Sequence, residues 1–200
     1  MSRRALLFLV YGNAFLIGCV LMGFEMLGSR YLFPYFGGGI GTWAGLISTV
    51  LCALAIGYFA GGNIVDRHPS PRIVAGSVFL AAIYLAFIPA TADDVMAWIL
   101  RVIGDEPAAI LLASSALLLA PLTLLGTFSP MAVRLLLRST KETGRIAGLV
   151  YGISTMGNVF GTLFTTFYLI PTMGSRAITY VYAAVLALCA VSFIFATRKE

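Results

Sequence analysis

Glu25 is the one ionisable residue in the apolar run from Ala14 to Leu27. A carboxylate inside a membrane span costs about 2.5–3.5 kcal/mol or more, so such groups face a cavity, a partner or water. Two chemistries fit it: a cation or proton site within a helix bundle, or an interfacial carboxylate or structural ion pair. Arg30 lies five residues on, which on a regular helix points about 140° away. The two meet only if the chain unwinds at Gly28 and Ser29. Counted from Ala5, Glu25 falls near the outer boundary unless the first span runs on through Tyr31 to Phe36. Asn158 is the second polar group of interest, placed to hydrogen-bond across helices. Cys19, Cys52 and Cys189 each sit in an apolar run without C-x-x-C spacing and read as small buried hydrophobes. His68, the sole histidine, reads as a solvated loop residue. No metal-ligand or cofactor motif is evident, and no His, Cys or carboxylate cluster has catalytic spacing inside a span, so the chain does not read as an enzyme.

The elements that position these residues follow from composition. The chain has 200 residues, 60% hydrophobic and 10% charged, against roughly 45–50% apolar and about 25% charged in soluble domains. That leaves too little polar surface for a water-soluble globule and far too much apolar content for disorder. Long runs such as Ile110 to Phe128 carry no charge, which disfavours an outer-membrane barrel with its alternating strands. The expected fold is all-α: a single polytopic domain over residues 1–200 with six transmembrane helices. The spans are placed at about Ala5–Gly28, Thr42–Gly62, Ile73–Ala92, Ala108–Thr127, Ile146–Ile170 and Ala177–Ala196.

With the N-terminus inside, ten of the thirteen basic residues fall on inner segments, and only Arg30, Arg101 and Arg176 on outer ones. This bias places both termini in the cytoplasm of a bacterial-type inner membrane. An isoelectric point near 9.3 then records topology rather than nucleic-acid binding, since no basic stripe carries interleaved aromatics. Thr91 to Pro107 reads as a short amphipathic helix at the outer interface, capped by Asp93 or Asp94 and anchored by Trp98. Ser129 to Arg138 reads as a second amphipathic helix, at the inner surface, with Arg134 and Arg138 near lipid head groups. The Gly37–Gly41 run lacks the Lys-Ser/Thr of a phosphate loop and reads as a flexible outer loop.

Gly57 and Gly61 in span two, and Gly148, Gly152, Gly157 and Gly161 in span five, recur at spacings that let helices approach closely. A faint echo between Gly45–Thr49 and Gly148–Thr155 points to an inverted three-plus-three repeat. The loop from Gly62 to Arg72, with Asp66-Arg67 at its centre, resembles the loop between helices two and three of major facilitator transporters. That resemblance implies a gating role for Asp66 and Arg67, although Pro69 and Pro71 replace the usual glycine and one basic residue. A plain positive-inside loop is the other reading.

Several stretches together resemble the membrane region of the spermidine-synthase-like fused membrane proteins. They are Gly23-Phe24-Glu25-Met26-Leu27-Gly28-Ser29-Arg30, the Gly62–Arg67 loop, Ser129-Pro130, Gly144-Arg145 through Tyr151, Ser154-Thr155, Gly157, Gly161-Thr162 and Leu169-Ile170-Pro171. The resemblance implies a six-helix half-transporter bundle. Aminopropyl transfer is not carried over, because no glycine loop in an α/β context follows. The expected function is movement of a small cationic or amphiphilic, polyamine-like solute by a homodimer, with Glu25, Arg30 and Asn158 on the pathway. The alternative is a non-catalytic subunit or scaffold that binds partner helices or a synthase-like soluble protein.

Overall fold

The computed structural model describes residues 3–137 and 142–197, with side chains through residue 195. Six helices are long and apolar enough to cross a membrane: α1 (Arg3–Phe36), α2 (Ile40–Arg67), α3 (Pro71–Ile103), α4 (Pro107–Leu136), α5 (Thr143–Thr172) and α6 (Ser175–Thr197). No strand occurs among the described residues. The protein is therefore an all-α, multi-pass membrane protein. Its outward side chains match a hydrocarbon solvent: Phe8, Leu51, Phe59, Phe167 and Leu188 are all exposed.

Helices this long follow from apolar side chains that lose nothing by leaving water, and from backbone groups that must all bond within the helix. Among the described residues, chain reversal is confined to short turns. Gly37 and Gly104 have positive φ, 67° and 85°, a conformation that a side chain would strain. The expected flexible loop over Gly37–Gly41 is thus a tight turn: α2 begins at Ile40, and Gly41 is already helical. Between α2 and α3, the Ser70 side chain accepts from the Arg72 N–H and Pro71 opens the helix.

Two expected surface helices are instead parts of spans. α3 runs unbroken to Ile103, so Asp93 and Asp94 cap nothing. The periodic residues Ala92, Met96 and Ile99 are buried and carry the helix past the expected end of the span. Likewise Phe128–Leu136 continues α4 after a turn at Thr127, burying Phe128, Met131, Ala132 and Leu136 against its neighbours. Arg138 and Lys141 lie outside the described residues, as do Arg198 and Lys199.

The leading packing pairs are α1 with α5, α2 with α4 and α3 with α6, followed by α3 with α4 and α1 with α6. Exchanging α1, α2 and α3 for α4, α5 and α6 maps this set onto itself. The glycine contacts obey the same exchange. Gly57 and Gly61 of α2 press on the α4 backbone at Thr123, Gly126 and Thr127, and Gly157 and Gly161 of α5 press on the α1 backbone at Phe15 and Cys19. Gly126 of α4 abuts Gly57 and Leu54 of α2, and Gly18 of α1 abuts Ser154 and Asn158 of α5. An inverted three-plus-three arrangement has this pattern.

α4 and α5 each contain a widened π-turn, Ser115–Leu119 and Thr165–Leu169, and each turn ends two residues before a proline, Pro121 and Pro171. An α-helical turn would drive the proline ring into the carbonyl four residues back. A wider turn makes room for the ring but leaves a carbonyl without its usual partner. In α4 the Tyr84 hydroxyl of α3 donates to the Ala116 carbonyl at 2.6 Å. Tyr84→Phe should therefore cost about 0.6–1.7 kcal/mol, the range for interhelical hydrogen bonds in membranes. Thermal unfolding in detergent checks this.

Candidate functional site: a buried carboxylate on α1

Residues Ala14, Gly18, Leu21, Glu25, Gly28 and Leu32 recur at three- and four-residue steps and are all buried. They form the inner stripe of α1. Glu25 is 7% exposed and makes no hydrogen bond or ion pair to another described residue. α1 does not unwind at Gly28 and Ser29; the Ser29 hydroxyl donates to the Met26 carbonyl within a continuous helix. Arg30 accordingly stays on the exposed side, and the structure does not bring it to Glu25. Because α1 continues to Phe36, Glu25 lies about 16 Å of helix from that end, well inside the element.

Neighbouring contacts place Glu25 by register. Two residues before it, Gly23 abuts the Tyr182 and Thr165 hydroxyls; three residues after it, Gly28 abuts Leu46 and Leu118. Glu25 therefore sits at the level where α1 meets α2, α4, α5 and α6. Thr165 pairs with Tyr182 and also donates to the Gly161 carbonyl, so the Tyr182 hydroxyl donates to Thr165. Ser114 on α4 and Thr166 on α5 have buried hydroxyls without a hydrogen-bond partner. Thr49 on α2 is also buried. The bundle interior thus contains scattered hydroxyls, one carboxyl group and, among the described residues, no cation paired with it.

Asn158 packs against Gly18, and its Oδ1 is buried without a partner. Seven residues of α1, about 10 Å, separate that level from Glu25. Asn13, on the same helix nearer the N-terminus, donates to the Leu9 carbonyl at 2.8 Å and to Ser192 at 3.0 Å. Tyr31 bonds Thr179 at 3.0 Å; since Thr179 donates to the Ser175 carbonyl, Tyr31 is the donor. α6 is therefore tied to α1 by side chains at two levels.

Asp66 and Arg67 end α2 as exposed side chains, and neither bonds or pairs with another described residue. Arg67 lies in the last helical turn, where a cation complements the helix dipole. Gly148 and Gly152, unlike Gly57, Gly61, Gly157 and Gly161, have no atom within 4 Å of where a side chain would begin. Cys189 is buried, Cys19 is intermediate and Cys52 is exposed on the outer surface, so the expectation of burial fails for Cys52. Among the described residues no group of three or more His, Cys, Asp or Glu could hold a metal.

Reading by charge alone passed over Thr165, Tyr182, Ser114 and Tyr84. Their signal is a hydroxyl placed inside an apolar run, which for Ser114 and Thr165 lies close before a proline. No protein-family model, curated protein or solved structure matches the chain.

Proposed function

We propose that the chain is one half of a membrane transporter, closed by a second copy of itself, that moves a small cationic or amphiphilic solute such as a polyamine. The observation that carries this reading is Glu25, a buried carboxyl group without a described partner where five helices meet. A carboxylate retained at such a cost has a use, and attracting a cation out of water is the use its charge offers. The three-plus-three pairing supports it, because one such unit supplies half of a two-sided pathway. Reconstituted protein should take up labelled polyamine, and Glu25→Gln should lose that uptake. Uptake no better than that of empty vesicles would sink the proposal.

In the same reading the chain sits in a bacterial-type inner membrane with both termini in the cytoplasm. The face carrying Arg3, Arg4, Arg67, Arg72, Arg134 and Arg145 is then the inner one. Reporters fused to the two ends should both report the cytoplasm; one reporting the far side would overturn the assignment.

A second reading has one observation in its favour. The apolar window of α5 is 22% buried, against 39% or 44% in the other spans. A non-catalytic scaffold would use that open face to hold partner helices, or its basic inner face to hold a synthase-like soluble protein. Stable co-purification of such a partner, without uptake, distinguishes this reading from the first.

A further inference from the structure

At the face carrying Arg3, the start of α5 leans against α1 and the end of α4, leaving a cleft of about 220 Å³. Its rim is polar: Arg3, Glu142 and Arg145, with Tyr11 below them. Its floor is apolar: Leu7, Leu136, Ile146 and Leu149. Arg3 pairs with Glu142 at 3.6 Å, and both side chains remain about half exposed. Arg145 is exposed and has no ion pair among the described residues. The cleft therefore carries a net positive rim, to which the positive end of the α5 dipole adds.

Beyond the cleft, α5 presents an exposed apolar stripe. Arg145, Leu149, Gly152 and Met156 follow one another at steps of four, three and four residues, so they share one face of α5. Leu149 and Met156 are exposed, and Gly152 has nothing within 4 Å. With no side chain at Gly152, the stripe has a gap between exposed Leu149 and Met156, a shallow apolar trough on from the cationic rim.

We propose that this cleft binds one anionic phospholipid, with its phosphate at Arg145 and Arg3 and an acyl chain in the trough over Leu149, Gly152 and Met156. A free phosphate would use only the rim. A zwitterionic lipid also brings a phosphate, but its ammonium offsets the attraction of a net positive rim. Rim and trough together at membrane depth match a lipid that has both charge and chain. Glu142 is the resident anion that the headgroup displaces from Arg3. The site does not depend on the transport reading, since it shares no residue with the surroundings of Glu25.

The test is native mass spectrometry of the full chain in detergent with phosphatidylglycerol, phosphatidylcholine or glycerol 3-phosphate. Phosphatidylglycerol should be retained in preference to the other two. Arg145→Ala should weaken its retention about fivefold, the effect of one basic residue near an anionic surface. Glu142→Gln should strengthen it by freeing Arg3. Gly152→Leu should weaken it while helicity and thermal stability stay unchanged, because the new side chain meets open space. Equal retention of phosphatidylcholine, or retention indifferent to Arg145→Ala and Gly152→Leu, would overturn the proposal. Equal binding of glycerol 3-phosphate would refute the acyl trough, and with it the lipid.

Discussion

Gly161→Leu should prevent the native bundle from forming, whereas Gly148→Leu should leave its stability within about 0.5 kcal/mol. Both glycines lie on α5, and each opens or closes a small-residue pair with four-residue spacing. Their surroundings differ. The first carbon of a side chain at Gly161 would fall on the Cys19 backbone, and at Gly157 on the Phe15 backbone. Backbone cannot swing aside as a side-chain tip can, so α1 and α5 would have to separate along their length. Overpacking of a tight core costs about 1–3 kcal/mol even where side chains can adjust. Here the loss should reach or exceed the upper end, about 3 kcal/mol. Between membrane helices such contacts are the main source of cohesion, because lipid is as apolar as the helix faces. Thermal unfolding and size-exclusion elution of the two variants in detergent make the comparison. A Gly161→Leu protein that melts like wild type would mean α1 and α5 do not touch as described.

Glu25→Gln should have opposite effects on stability and uptake. Glu25 is enclosed by a bundle that offers it no described cation. A charged residue at mid-span costs about 2.5–3.5 kcal/mol, which bounds what its replacement recovers. The amide has a similar shape without the charge, so Glu25→Gln should melt higher than wild type, and Glu25→Leu higher still. Uptake should be lost in both. If both variants instead melt lower, Glu25 is a structural group whose partner holds the helices together, and its role as an attractor of cations falls. The paired measurement thus separates the two chemistries a lone intramembrane carboxyl group allows.

Six spans were legible because unbroken apolar runs of about 20 residues have few alternatives in water or lipid. Their ends were less legible. The stretch Val95–Ile103 does have a helical period, but Asp93-Asp94 has the composition of a cap and invites a break where none exists. In the structure Asp93 is mid-helix and pairs with Arg176 at the start of α6. The π-turns left little trace beyond Pro121 and Pro171, since a widened turn is chosen by the ring it accommodates and not by its own side chains. Glycine spacing shows where close approach is permitted. It does not show whether a neighbour is present, and so Gly148–Gly152 and Gly157–Gly161 look alike in sequence and differ in space. Glu25 stood out because it is charged. Its separation from Arg30 was already implied by five residues of helix, once α1 proved continuous. The hydroxyls around its level were hidden among many ordinary polar residues until register assembled them.

The backbone-on-backbone seams have a mechanical consequence. Where Gly157 and Gly161 meet the α1 backbone, and Gly57 and Gly61 the α4 backbone, no side chain can tilt or repack, so α1 and α5 behave as one plank, and α2 and α4 as another. Glu25 rides on the first plank and faces the second across Gly28, Leu46 and Leu118. Any opening toward Glu25 must therefore shear one plank past the other, since neither can flex helix by helix. A crosslink between α1 and α5 would travel with that motion, while a crosslink between α1 and α2 would stop it.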